Sequence, residues 1–89
     1  MSLFFDPAKD RAKVRKHGVS LDRMIDFDFA TALIDLDDRF DYGEDRMIAL
    51  GYIGTALFVA VFVETDTGVR AISLRPAEAR EKRRYAEAP

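Results

Sequence analysis

The chain has no cysteine and a single histidine among its 89 residues. Without thiols there are no disulfides and no thiolate metal sites, and a reducing compartment is the natural setting. One histidine leaves no metal-ligand spacing, and the aspartates in the middle of the chain lack the order of a calcium-binding loop. Neither a glycine-rich phosphate loop nor a dinucleotide fingerprint is present. Repeats, low-complexity runs and linkers are also missing, so one compact unit over residues 1–89 is expected. The longest apolar stretch, Tyr52 to Val63, contains Gly54 and is far too short to span a membrane. Met1-Ser2-Leu3 lacks the basic start and apolar core of a signal peptide. The expectation is a soluble, cytoplasmic protein with no membrane association, cofactor or metal.

What is present is an ordinary globular balance of 48% apolar and 34% charged residues. A chain this short buries only about 60–65% of its unfolded surface, so its stability margin is slim. The formal net charge is −2, which by itself argues against a nucleic-acid binder. Its distribution argues differently. Lys9, Arg11, Lys13, Arg15 and Lys16 face only Asp10 near the start, and Arg75, Arg80, Lys82, Arg83 and Arg84 face Glu78 and Glu81 near the end. Between Asp22 and Asp45 acids dominate, with only Arg23 and Arg39 against them. Two basic segments around an acidic middle make a dipolar molecule, and local potential steers an anion more than the total does. Solvated helix faces would produce the same pattern.

Leu3 to Phe5 reads as a short apolar edge strand. Asp6-Pro7 is an N-cap followed by proline in the first helical position, and Gly18 closes the helix after a basic cluster. Ser20-Leu21-Asp22 predicts a second helix with Leu21, Met24, Ile25 and Phe29 on one face. Strands are expected at Thr31 to Leu36, Arg46 to Tyr52, Ala56 to Glu64 and Val69 to Leu74. Ala56 to Glu64 is the central one, and Asp66-Thr67-Gly68 is a hairpin turn. Phe58 and Phe62 belong to the core. Pro76 opens a terminal helix through Tyr85. The class is α+β: two N-terminal helices, a four-stranded antiparallel sheet and a C-terminal helix.

Few residues are equipped for catalysis. Paired-carboxylate hydrolysis stays open among Asp37, Asp38, Asp41, Glu44 and Asp45, although turn acids are usually solvated. A hydroxyl nucleophile would need Ser20 or Ser73 with His17, and no spacing favours it. Metal-free RNA cleavage needs a base, an acid and cations for the phosphorane charge that grows when a ribose 2′-hydroxyl attacks its neighbouring phosphate. His17, Glu44 and Tyr85 can handle protons, and Arg46, Arg75 and Arg83 can grip phosphate oxygens.

The segments Asp6-Pro7-Ala8-Lys9, Arg15-Lys16-His17-Gly18-Val19-Ser20, Asp41-Tyr42-Gly43-Glu44 with Arg46 and Ala49-Leu50-Gly51, Ile72-Ser73-x-Arg75 and Glu81-x-x-x-Tyr85 follow one another in the chain. In that order and spacing they resemble the BrnT toxin family, over roughly Phe5 to Glu87. The resemblance implies a ribonuclease fold related to RelE-like toxins. It also implies a cognate BrnA-like antitoxin, which neutralises the toxin and carries the complex to DNA through its own DNA-binding part. Three positions depart from the family pattern: Pro76 follows Arg75, Phe40 stands where a polar residue or histidine is common, and Phe5 stands where tryptophan is frequent.

On this reading the catalytic candidates are His17, Glu44, Arg46, Arg75 and Tyr85, with Arg15, Lys16, Arg39 and Arg83 binding RNA. Each has a plainer alternative. His17 sits at a helix C-terminus, where the dipole favours a cation, and Lys16-His17-Gly18 is also simply a good helix ending. Glu44 and Arg46, two apart at a strand start, share a face and would serve equally as a surface ion pair. Arg75 precedes a helix N-terminus, where anions gather. Tyr85 lies one turn beyond Glu81 and would serve equally by packing on the sheet. A catalytically silent module that only docks an antitoxin is the competing function.

Overall fold

In the computed structural model, which describes residues 1–89, the caps act where the sequence placed them. The Asp6 carboxylate accepts from the Ala8 backbone N–H at 2.9 Å, Pro7 occupies the first turn, and α1 runs Pro7–His17. Gly18 closes it at φ 73°, a left-handed conformation that glycine adopts without a Cβ penalty. Within α1, Asp10 points back to the following loop and accepts from the Ser20 hydroxyl at 2.8 Å and the Leu21 N–H at 2.6 Å.

The expected second α-helix is instead a 3₁₀ segment, Leu21–Asp26. Its buried residues, Leu21 and Met24, and the buried Phe27 that caps its end recur every third position, the period at which 3₁₀ side chains eclipse. A period of 3.6 would have buried Ile25, which is 50% exposed.

The sheet has five strands in the order β1-β5-β4-β3-β2, correcting the expected four. They are β1 (Ser2–Phe4), β2 (Leu33–Leu36), β3 (Met47–Ile53), β4 (Ala56–Glu64) and β5 (Gly68–Pro76). β2 to β5 form an antiparallel meander, and β1 adds a parallel edge on β5. Gly68 permits that edge, because a Cβ there would lie 1.9 Å from the Ser2 carbonyl oxygen. β4 is buried from Leu57 to Phe62 because both sheet faces are covered around it. The helix expected to open at Pro76 begins later, as α2 (Ala79–Glu87). Pro76 is the last residue of β5, opposite Phe58, and the Glu78 N–H donates to the Glu81 carboxylate at 2.8 Å in the first turn of α2.

The two faces of the sheet are covered differently. On one, Ala49, Ile53, Phe58, Ala60, Phe62, Val69, Ala71 and Leu74 pack against the 3₁₀ segment in the larger core. On the other, α2 covers Leu50, Leu57 and Val59, with Ala77 and Tyr85 packed beside them. A bulge decides which residues of β5 reach each side. Val61 pairs with Ser73 while Phe62 pairs with Ala71, leaving Ile72 as an extra residue. An inserted residue inverts the inside–outside alternation beyond it. Leu74 therefore enters the larger core, and Ser73 and Arg75 point to the half-covered face. Without the bulge Arg75 would point into the core.

Candidate active site

Three parts of the chain surround the uncovered end of that second face. The last turns of α1 supply Lys13, Lys16 and His17, which share a side because they lie three and four residues apart. The strands supply Arg46, at the entrance to β3, and Ser73 and Arg75 from β5. The loop after β2 supplies Asp37, Arg39 and Tyr42. All of these line one cleft of about 280 Å³, floored by Ile48, Val59 and Val61.

Arg75 is clamped. Its guanidinium donates to both Glu81 carboxylate oxygens at 2.8 Å and to the Pro76 carbonyl at 3.2 Å. The Arg75 hydrogen bonds hold the Glu81 carboxyl at about 2, and Glu81 in turn raises the Arg75 pKa. Pro76, the departure after Arg75, thus contributes a carbonyl that aims the arginine. Arg39 is held the same way, donating to Asp37 at 2.7 and 2.8 Å. Asp37 is only 5% exposed, unlike a solvated turn acid. It also accepts from the Tyr42 hydroxyl at 3.3 Å, and its backbone N–H donates to the Arg46 carbonyl at 2.7 Å. Hydrogen bonding from Arg39 keeps its carboxyl below the ordinary range despite burial.

Arg46 is held more loosely. Its guanidinium lies over the Tyr42 ring, 4.1 Å from the centroid. The nearest carboxylate oxygen, on Glu44, is 3.6 Å from Nε, and that buried Nε has no hydrogen-bond partner. An unsatisfied buried donor costs roughly 1–3 kcal/mol, so this arginine has unspent capacity for an anion. Glu44 itself bonds Arg70 on β5 and so stands between two guanidiniums.

His17 is half-buried among cations. Desolvation first, then the charges of Lys16, Lys13 and Arg75, lower its pKa below 6.5. The helix dipole favours a cation at this end, but these effects outweigh it and leave a neutral imidazole at neutral pH.

The fold brings His17, Lys16, Arg39, Arg46 and Arg75 together, with Glu44 adjoining through Arg46. It does not bring Tyr85, Arg15 or Arg83. The Tyr85 hydroxyl donates to the Thr31 carbonyl at 2.9 Å, and its ring meets Tyr52 edge-on at 5.3 Å, which fastens α2 to the sheet. Arg15 and Arg83 are exposed on their helices, away from the cleft lining. Sequence reasoning did not single out Lys13 and Tyr42, which line the cleft, or Glu81, which clamps Arg75, and it weighed Asp37 only as a possible hydrolytic carboxylate. Lys13 had a signal, four residues before His17 on the same helix. Glu81 had one in its place within a family segment. A larger hollow of about 570 Å³ among Leu36, Phe40 and the carboxylates of residues 37–45 carries negative charge and repels a phosphate.

Seated cations beside a neutral imidazole suit a phosphodiester. A family profile described as "Ribonuclease toxin, BrnT, of type II toxin-antitoxin system" matches residues 5–81. The chain belongs to the BrnT family. Membership makes it a type II toxin–antitoxin ribonuclease toxin by family, with an antitoxin partner and RNA targets. Every cleft residue named above falls within the matched span, and Tyr85 falls outside it. No curated protein matches the chain.

Proposed function

We propose that this BrnT chain is an endoribonuclease that cleaves RNA without a metal, in the cleft between α1, the sheet and the loop after β2. His17 takes the proton of the ribose 2′-hydroxyl as that oxygen attacks phosphorus. Arg46 and Arg75 bind the non-bridging phosphate oxygens and stabilise the phosphorane charge, the work a metal would otherwise do. The P–O5′ bond breaks, the departing oxygen takes a proton from water on the solvent side beside Lys16, and a 2′,3′-cyclic phosphate remains. Glu44 and Glu81 position arginines, Arg39 and Lys16 bind the strand, and Tyr85 is structural. One observation carries this reading: three groups from α1, the start of β3 and the end of β5 line one cleft.

A BrnA-like antitoxin would neutralise the cleft and alone contact DNA. A second reading, a silent antitoxin-docking module, draws on the bidentate carboxylates that already occupy Arg39 and Arg75. Antitoxin-free protein incubated with RNA in chelator separates the two. Cleavage with cyclic-phosphate ends is expected, and intact RNA under every condition favours the silent module.

A further inference from the structure

A second groove adjoins the cleft. It has a volume of about 610 Å³ and lies between α1 and the sheet, where Lys9 and Lys13 on the helix face Arg46 and Arg70 on the strands. Lys13, Arg46 and Ile72 line both hollows, so the two lie side by side. Lys9, Lys13 and Lys16 recur at intervals of four and three, which keeps them on one side of α1 along the whole trough. Two carboxylates, Asp6 and Glu44, also line the second groove. Glu44 is shared between Arg46 and Arg70, so one negative charge faces two guanidiniums, and the buried Arg46 Nε at the junction is unpaired.

This concentration of cations is not a by-product of a basic protein, because the chain as a whole carries −2. The groove has cations on both walls and no aromatic side chain free to stack a base. Such a lining tracks a phosphate backbone and reads no sequence.

We infer that the groove between α1 and β5 is a second RNA subsite, holding the phosphates of single-stranded RNA that flank the scissile one. This rests on the RNA-cleaving reading above and adds to it that the substrate is a strand several nucleotides long. It also makes the neighbouring nucleotides' contribution independent of base identity.

The test uses the full chain and a 2′-O-methyl hexaribonucleotide, which binds but cannot be cleaved. Affinity is measured across a salt series for the parent, Lys9→Gln, Lys9→Arg and the double variant Lys9→Gln/Arg70→Gln, with circular dichroism confirming the fold. The slope of log affinity against log salt should fall by about 0.7 for each phosphate contact removed, so once for Lys9→Gln and twice for the double variant. Lys9→Arg should retain the parent slope, and hexamers of different base composition should give the same decrements. Parent slopes in folded Lys9→Gln and double variants, while the parent still cleaves RNA, would overturn the subsite and leave the catalytic reading intact. A parent that neither binds nor cleaves RNA would overturn both.

Discussion

The two faces of the sheet are built from the same strands by alternate residues, yet they differ in kind. One is sealed by the 3₁₀ segment, and its Met24 and Leu74 are fully buried. The other is covered by α2 at one end only, and at its open end charged groups lie on a floor of valine and isoleucine. The sealed face supplies stability, and the half-open face uses it to hold guanidiniums in a partly desolvated place. The bulge at Ile72 joins the two roles, because the inversion that seats Leu74 in the core also turns Arg75 to the cleft.

The largest expected effect lies on the open face. His17→Gln should lower the RNA cleavage rate by about a hundred- to ten-thousandfold, the range for a lost general base, with little change in melting temperature. In the parent, kcat/KM should rise with pH through the His17 pKa and level off, with its midpoint below 6.5 because desolvation first, and then the cations around His17, lower that pKa. A rate–pH profile whose acid limb survives in His17→Gln would assign the base elsewhere.

On the sealed face, Leu74→Ala should cost roughly 2–5 kcal/mol in urea unfolding, through lost burial and the cavity left behind. Cleavage per folded molecule should stay near the parent value. Together with His17→Gln, this separates the roles of the two faces.

Next in size is the Arg75–Glu81 clamp, where the faces meet through α2. The folded Glu81 carboxyl is depressed to about 2 from 4.5. The stability this contributes is therefore fully present above pH 4.5 and is lost as pH falls toward 2. The acid loss should amount to roughly 2–3 kcal/mol in the parent and shrink in Glu81→Gln, read from unfolding midpoints at a series of pH values. Tyr85→Phe should have the smallest effect. Losing the hydrogen bond to the Thr31 carbonyl should cost about 0.5–1.5 kcal/mol in stability and leave the cleavage rate unchanged. A large rate loss there would return Tyr85 to the catalytic set.

Local signals were legible where they were strong. The caps Asp6-Pro7 and Gly18 bound α1, and the run from Ala56 to Glu64 forms β4 along its full length. Features that depend on distant partners were not legible. β1 offers three residues, and its pairing with β5 joins positions 66 apart, such as Leu3 and Val69. The bulge at Ile72 has no residue signature, and nothing in sequence separates the buried Asp37 from the exposed Asp38. The proline that suggested a helix start at residue 76 fits equally at a strand end. The 3₁₀ segment could have been read from the three-residue spacing of Leu21, Met24 and Phe27. Among site residues, arginine and histidine were identifiable by chemistry, and convergence on one cleft required the fold. Tyr85, which sequence left balanced between packing and catalysis, packs.

The central claim is that Arg46 and Arg75 act on one phosphodiester, and a double-mutant cycle on cleavage of a defined RNA tests it most directly. Arg46→Ala and Arg75→Ala should each lower kcat by about 10²- to 10³-fold, as loss of a charge-stabilising donor does. The double variant should lose less than the product of the two, with a coupling of roughly 0.5–3 kcal/mol. Full activity in either folded single variant, or strictly multiplicative losses, would contradict a shared site.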